Sequence, residues 1–160
     1  MKNFIYKLLL LVAICTISCT TDVPIPINPP KNFTYDYNQD ELDVMNKIND
    51  YRVSVGLNVL LKNDYVSLKS EEHNSKMIID NNLSHDGFVS RSNDIISTLG
   101  AIKVSENVAY NYNSSQAVLD AWLNSPLHKE NIVGDYTHFG ISIRIDSMGK
   151  KYYTNIFIKI

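Results

Sequence analysis

Four histidines and two cysteines are the side chains of this 160-residue chain best suited to metal binding or nucleophilic chemistry. Imidazole binds zinc and transfers protons near neutral pH, and a thiolate is a strong nucleophile. They are His73, His85, His128, His138, Cys15 and Cys19. The sequence has neither a His-Glu-x-x-His helix motif nor a Gly-x-Ser-x-Gly turn motif. What these residues do must therefore be inferred from the elements that position them.

The segment before Cys19 is typical of an exported bacterial lipoprotein. Lys2 and Lys7 precede an unbroken apolar run over residues 8–14, which is too short to remain as a membrane-spanning helix. The small Ser18 stands just before Cys19, which suits cleavage by lipoprotein signal peptidase. We therefore predict a signal peptide over residues 1–18 and a lipid on Cys19. This lipid would anchor the exported chain in an outer membrane or at the cell surface rather than in an inner membrane.

Residues 19–38 are predicted to form a tether between the lipid and a single globular domain over residues 39–160. Four prolines lie among polar residues in the tether, a composition that stays extended. Removal of the signal leaves 13 basic and 17 acidic residues, so nucleic acid is not expected as a partner. The domain itself has no cysteine, so packing rather than a disulfide must stabilise it. Nothing in the sequence requires assembly, and we expect a monomer.

The middle of the chain has the spacing of amphipathic helices. Asp40 is a suitable N-cap for a first helix that ends at Gly56. Asn63 or Asp64 can begin a second helix that runs to about Asn81. His73 lies on the apolar face of this second helix, and we expect it to pack in the core.

The last third of the chain changes from helical to strand periodicity. A third helix is predicted after Ser115, with Trp122 on its apolar stripe and Pro126 as its breaker. From Phe139 onward the apolar residues alternate, and a turn that contains Gly149 interrupts them. Helices followed by an antiparallel hairpin indicate an α+β domain.

Five sequence blocks follow one another in a specific order between residue 41 and the C-terminus. They are Ile48-Asn-Asp-Tyr-Arg52 with Gly56-Leu57, Ser84-His-Asp-Gly-Phe88, Ser105-Glu-Asn-Val-Ala-Tyr110, Ala121-Trp-Leu-Asn-Ser-Pro-Leu-His-Lys-Glu-Asn-Ile132, and Thr137-His-Phe-Gly-Ile141 with Tyr152-Tyr-Thr-Asn-Ile-Phe157. In these blocks the chain resembles the bacterial branch of the CAP superfamily (cysteine-rich secretory, antigen 5 and pathogenesis-related 1 proteins). The resemblance implies an α-β-α sandwich, with a central antiparallel sheet flanked by helices and one broad cleft.

In many CAP proteins two histidines and two glutamates converge on this cleft. The resemblance carries three of these positions to His85, Glu106 and His128. The fourth position, a glutamate three residues after the helix tryptophan, is Ser125 in this chain. The resemblance therefore implies an incomplete set of cleft residues.

Three interpretations of the cleft remain open at this stage. Two imidazoles and a carboxylate could hold zinc or another divalent metal, with His138 or Glu130 as a fourth ligand. The same side chains could instead form a structural hydrogen-bond network, or they could bind a different ligand.

These interpretations lead to three candidate functions. The first is a membrane-anchored binding module for a lipid, a protein or a host ligand. The second is a metal-dependent hydrolase or protease that acts on envelope or host peptides, with Glu106 as the base. The third is a structural envelope protein without a small ligand. We expect a non-enzymatic role because no complete catalytic set is present.

Overall fold

The structure is a computed structural model in which residues 32–160 are described. The predicted signal peptide, Cys19 and most of the predicted tether lie outside the described residues. Within the described range the elements are α1 (Gln39–Ser54), β1 (Leu61–Lys62), α2 (Asp64–Asp80), α3 (Phe88–Leu99), β2 (Lys103–Tyr110), α4 (Ser115–Asn124), α5 (Pro126–Ile132), β3 (His138–Ile145) and β4 (Lys151–Lys159).

The strands form one four-stranded sheet in the order β1-β3-β4-β2. The three long strands pair antiparallel, and the two-residue strand β1 adds a parallel pair beside the start of β3. Strand β2 pairs with β4 and lies at the edge of the sheet. This position leaves the outer side of β2 open to side chains from the helices.

Helices cover both faces of the sheet, as the α-β-α sandwich requires. On one face Phe139 and Phe157 lie in a buried cluster with Ile48 of α1, Trp122 of α4 and Ile132 of α5. On the other face the side chains of β2 and β4 pack against α2 and α3 in two smaller buried clusters. The α+β class and the sandwich architecture expected from the resemblance are therefore confirmed.

Helix α2 crosses strand β3 at the one glycine of that strand. A Cβ atom at Gly140 would lie only 2.4 Å from the backbone nitrogen of Ser67 and 2.5 Å from the carbonyl carbon of Val66. The Ser67 hydroxyl also accepts a hydrogen bond from the backbone nitrogen of Ile141 at 3.1 Å. Only glycine at position 140 allows α2 to pack this closely on the sheet.

The last residues assigned to the tether pack against the domain. Tyr35 is 8% exposed, and its hydroxyl donates to Glu41, a buried residue of α1, over 2.8 Å. The hydroxyl of Tyr37 is hydrogen-bonded to that of Ser67 on α2. Asn32–Ile160 is accordingly one compact unit. The two tyrosines bury apolar area against the domain, so this end of the predicted tether is part of the packed unit.

No helix within residues 32–160 is long and apolar enough to cross a membrane.

Candidate functional site

The candidate site lies at the outer edge of strand β2, where the two helical layers meet. Side chains alternate between the two faces of a strand. Glu106 therefore points toward α2 and α3, whereas Asn107, the next residue, points toward α5. The Glu-Asn pair of the sequence motif thus contacts both helical layers from one strand.

Glu106 is a buried carboxylate that accepts hydrogen bonds from two other side chains. Its side chain is 1% exposed. The guanidinium of Arg91 donates through Nε to Oε2 over 2.8 Å and through Nη2 to Oε1 over 2.9 Å. The imidazole of His85 donates through Nδ1 to Oε1 over 2.9 Å. Such two-point guanidinium contacts fix the orientation of a carboxylate as well as its charge.

Arg91 reaches Glu106 from the inner face of α3. Its side chain is 8% exposed and shares that face with the buried Ile95. The remaining guanidinium nitrogen, Nη1, donates to the carbonyl oxygen of Asp86 over 3.3 Å. Arg91 therefore connects α3, the loop before it and the edge strand through one buried positive charge.

His85 is the exposed part of this network. It lies in the loop before α3, and its side chain is 51% exposed. Because the carboxylate of Glu106 accepts at Nδ1, the neutral ring carries its proton there. The Nε2 atom is then the hydrogen-bond acceptor of the ring. Glu106 thus determines both the orientation and the tautomer of a half-exposed imidazole.

His73 lies beneath the same carboxylate. It is 2% exposed, as expected for a packed residue of the second helix. Its Nε2 donates to the carbonyl oxygen of Ser84 over 2.8 Å and lies 3.8 Å from Oε1 of Glu106. Burial is the main cause that lowers its pKa, and the charge of Arg91 lowers it further, while Glu106 opposes both. His73 is therefore a neutral support for the loop that carries His85.

His128 approaches the network from α5, on the other side of the edge strand. Its ring is half-buried, and the nearby charge of His85 adds to burial in lowering its pKa. The amide of Asn107 donates to the backbone carbonyl of His128 over 3.0 Å. Asn131 donates to the side-chain oxygen of Asn107 over 2.8 Å. These asparagines hold α5 against the strand.

A groove of about 560 Å³ lies between α5, the helix that carries His128, and the start of β2. It is lined by Lys103, Ser105, Leu127, Glu130, Asn131 and Tyr136 among others. Leu127 is 75% exposed, so an apolar side chain and charged side chains border the same space. The groove can therefore contact a ligand that is partly apolar and partly polar.

The structure brings together some of the residues selected from the sequence. His85 and Glu106 are in direct contact, and His128 on α5 is within electrostatic range of His85. Glu130 is exposed and lines the groove. His138 lies on β3, which β4 separates from β2, and its Nδ1 is hydrogen-bonded to the hydroxyl of Thr137. His138 is therefore not placed beside the other three.

Arg91 was not selected from the sequence. The only signal was a single arginine on the apolar stripe of α3, and a lone arginine on a helix is usually solvated. An arginine on a buried stripe requires a buried acidic partner. Glu106 of the motif was the candidate for that partner.

The surroundings of Glu106 do not fit a metal site. Zinc needs a carboxylate lone pair, and the hydrogen bonds from Arg91 and His85 already use three of the roughly four acceptor positions of Glu106. A divalent cation would also lie beside a buried guanidinium. Among residues 32–160 no three His, Cys, Asp or Glu side chains form a group that could hold a metal ion. Metal binding by His85, Glu106 and His128 stays a prediction that this geometry disfavours.

Comparison with protein families gives a match that covers most of the described domain. Residues 45–157 match the model of the family described as "CAP: Cysteine-rich secretory protein family". The chain belongs to the CAP family. The membership inferred from the five sequence blocks is thus confirmed.

One curated relative is similar over a short stretch. An uncharacterized membrane protein of Bacillus subtilis, YlbC, is 44% identical over 55 residues, which are 34% of this chain and 14% of that protein. The chain therefore matches about a seventh of the length of that relative.

Solved structures agree with the CAP fold. An outer surface protein from Borrelia burgdorferi has a TM-score of 0.70 at 22% identity, covering 78% of this chain and 96% of that one. An extracellular SCP-domain protein from Bacillus anthracis has a TM-score of 0.68 at 21% identity, covering 79% of this chain and 45% of that one. A cysteine-rich secretory protein from Staphylococcus aureus has a TM-score of 0.66 at 18% identity, covering 79% and 41%. At these identities the likeness establishes the fold alone.

Proposed function

We propose that this CAP protein is an exported, lipid-anchored binding module whose ligand contacts His85 and His128 at the outer edge of β2. The observation that carries the proposal is the state of His85. A buried Arg91–Glu106 pair holds its half-exposed ring in one orientation and one tautomer. A preorganised, half-exposed imidazole is suited to recognition, because little side-chain entropy is lost on binding.

The same geometry favours binding over hydrolysis. A general base must accept a proton from water, but the side chain of Glu106 is 1% exposed, and both of its oxygens already accept hydrogen bonds from Arg91. The groove beside α5 would add contact area for a peptide or lipid chain, because it contains both apolar and charged residues.

The sequence before the domain supports export and anchoring through Cys19. The run of residues 8–14 and the Ser18-Cys19 pair support a lipoprotein signal. Two proteins of similar fold are described as outer surface and extracellular proteins, which agrees with this location.

Nuclear magnetic resonance of the histidine rings tests the binding role. Palmitate, phosphatidylglycerol vesicles and a tripeptide library serve as probes. We expect at least one probe to shift the ring signals of His85 and His128, with a Kd below about 1 mM. In a His85→Ala/His128→Ala variant the affinity should fall at least about tenfold, whereas His138→Ala, which changes a histidine outside the cleft, should bind as the wild type does.

Two results would contradict the proposal. The first is that no probe perturbs either ring. The second is turnover of a probe that disappears with His85→Ala, because the cleft would then belong to an enzyme.

A further inference from the structure

Arg91 places a buried positive charge in the cleft. This side chain is only 8% exposed, and the side chain of the carboxylate that it contacts is 1% exposed. Its Nε and Nη2 atoms contact both oxygens of Glu106, and Nη1 is directed to the carbonyl of Asp86. The charge is therefore fixed in position by three separate acceptors.

A buried carboxylate beside imidazoles is otherwise a favourable place for a divalent cation. Zinc binds imidazole nitrogens and carboxylate oxygens, and the negative charge of Glu106 would attract it. The guanidinium neutralises that charge and occupies the oxygens that a cation would use. A cation that displaced it would also leave Arg91 buried without its acidic partner, which is costly.

We propose that the guanidinium of Arg91 takes the place of a metal ion beside Glu106, and that it determines the specificity of the site by excluding divalent metals. Arg91 thereby acts as a positioning residue. It holds Glu106, and Glu106 in turn holds His85. The inference rests on the proposed function only in placing the ligand site at His85, and the exclusion of metal can be measured without any organic ligand.

Calorimetric titration with zinc at neutral pH tests the inference on the purified full-length chain. The wild type should show no zinc binding that depends on Glu106. Arg91→Met should bind zinc at least about tenfold more tightly than the wild type, because it removes the guanidinium contacts to both carboxylate oxygens. Adding His85→Ala or Glu106→Gln to this variant should abolish the gain. Arg91→Lys, the matched control, keeps the positive charge and should exclude zinc as the wild type does.

A second measurement on the wild type is independent of how well the variants fold. The Nε–H signal of Arg91 in the nuclear magnetic resonance spectrum should keep its position and its slow exchange in excess zinc. The inference is overturned if zinc shifts or removes this signal. It is also overturned if wild-type zinc affinity falls with Glu106→Gln, or if a folded Arg91→Met variant gains no affinity. None of these results depends on the organic probes that test the proposed function.

Discussion

Glu106 is the residue through which the cleft is organised. One oxygen accepts from His85 and both accept from Arg91, while His73 lies just beyond hydrogen-bond distance. In a buried environment such charge-assisted contacts are strong, and an unpaired member is costly. The half-exposed imidazole of His85 is consequently the part of this buried network that solvent can reach.

The histidines of this domain should make its stability depend on pH. Burial lowers the pKa of His73, His128 and His138 in the folded chain, whereas in the unfolded chain they titrate near 6.5. Between the lowered and the ordinary pKa the unfolded chain binds more protons. The free energy of unfolding therefore has its full value above about pH 6.5 and decreases as the pH falls below it.

We predict that the free energy of unfolding decreases between about pH 7.5 and about pH 5.5, by at most about 1.4 kcal/mol per pH unit for each histidine. His73→Gln should flatten this dependence, because glutamine does not titrate yet can still donate to the carbonyl of Ser84. Urea unfolding of both proteins across this range measures the effect. An unchanged slope in the variant would mean that His73 is not held neutral by burial.

Single residues of the site were predictable only where a sequence block marked them. The Ser-His and Glu-Asn blocks led to His85 and Glu106, which are in contact. Arg91 lies between the blocks, and a lone arginine on a helix is usually solvated. Its burial depends on the packing of α3 against β2, which the sequence pattern does not specify.

At the scale of elements, the helices with clear caps and apolar stripes were predictable. The second helix was expected to begin at Asn63 or Asp64, and Asn63 caps α2 through its side chain. The first helix begins slightly earlier than expected, because Asn38 rather than Asp40 is its N-cap, in a capping box with Glu41. The C-terminal hairpin is present as β3 and β4.

Three elements around the cleft were not predicted, for identifiable reasons. Strand β2 carries Glu106 and Asn107 in its middle, so polar residues hide the apolar alternation. The apolar stripe of α3 is interrupted by Arg91. Pro126 was interpreted only as the end of α4, but proline is also favoured at the first position of a helix, and α5 begins there.

Trp122 connects α4 to the edge strand. It is 1% exposed, and its Nε1 donates to the carbonyl of Val108 on β2 over 3.1 Å. Trp122→Ala should reduce the free energy of unfolding by about 3 to 5 kcal/mol, because it leaves a cavity and an unpaired carbonyl. Trp122→Phe keeps most of the buried volume and should lose less. A loss under about 1 kcal/mol for the alanine variant in urea unfolding would show that α4 does not pack as described.

At the scale of the whole molecule, the proposed role requires two parts, an anchor and a globular domain. The domain supplies the cleft, and the segment before residue 32 would supply export and attachment through Cys19. Tyr35 and Tyr37, at the end of the predicted tether, are hydrogen-bonded to the domain.

Replacement of Cys19 tests the anchor. A Cys19→Ser variant cannot be lipidated at that position, and we expect it to leave the membrane fraction of expressing cells. Fractionation followed by immunoblotting against the domain measures this redistribution. If the variant remains in the membrane fraction as the wild type does, attachment does not depend on a lipid at Cys19.

A crystal structure of the chain grown with excess zinc tests the central claim most directly, because it shows which cation Glu106 binds. We expect both oxygens of Glu106 to remain bound to Arg91 and Nδ1 of His85 to remain hydrogen-bonded to Oε1. No anomalous zinc signal should lie beside this carboxylate. A zinc ion bound to Glu106, with the guanidinium of Arg91 displaced, would contradict this claim.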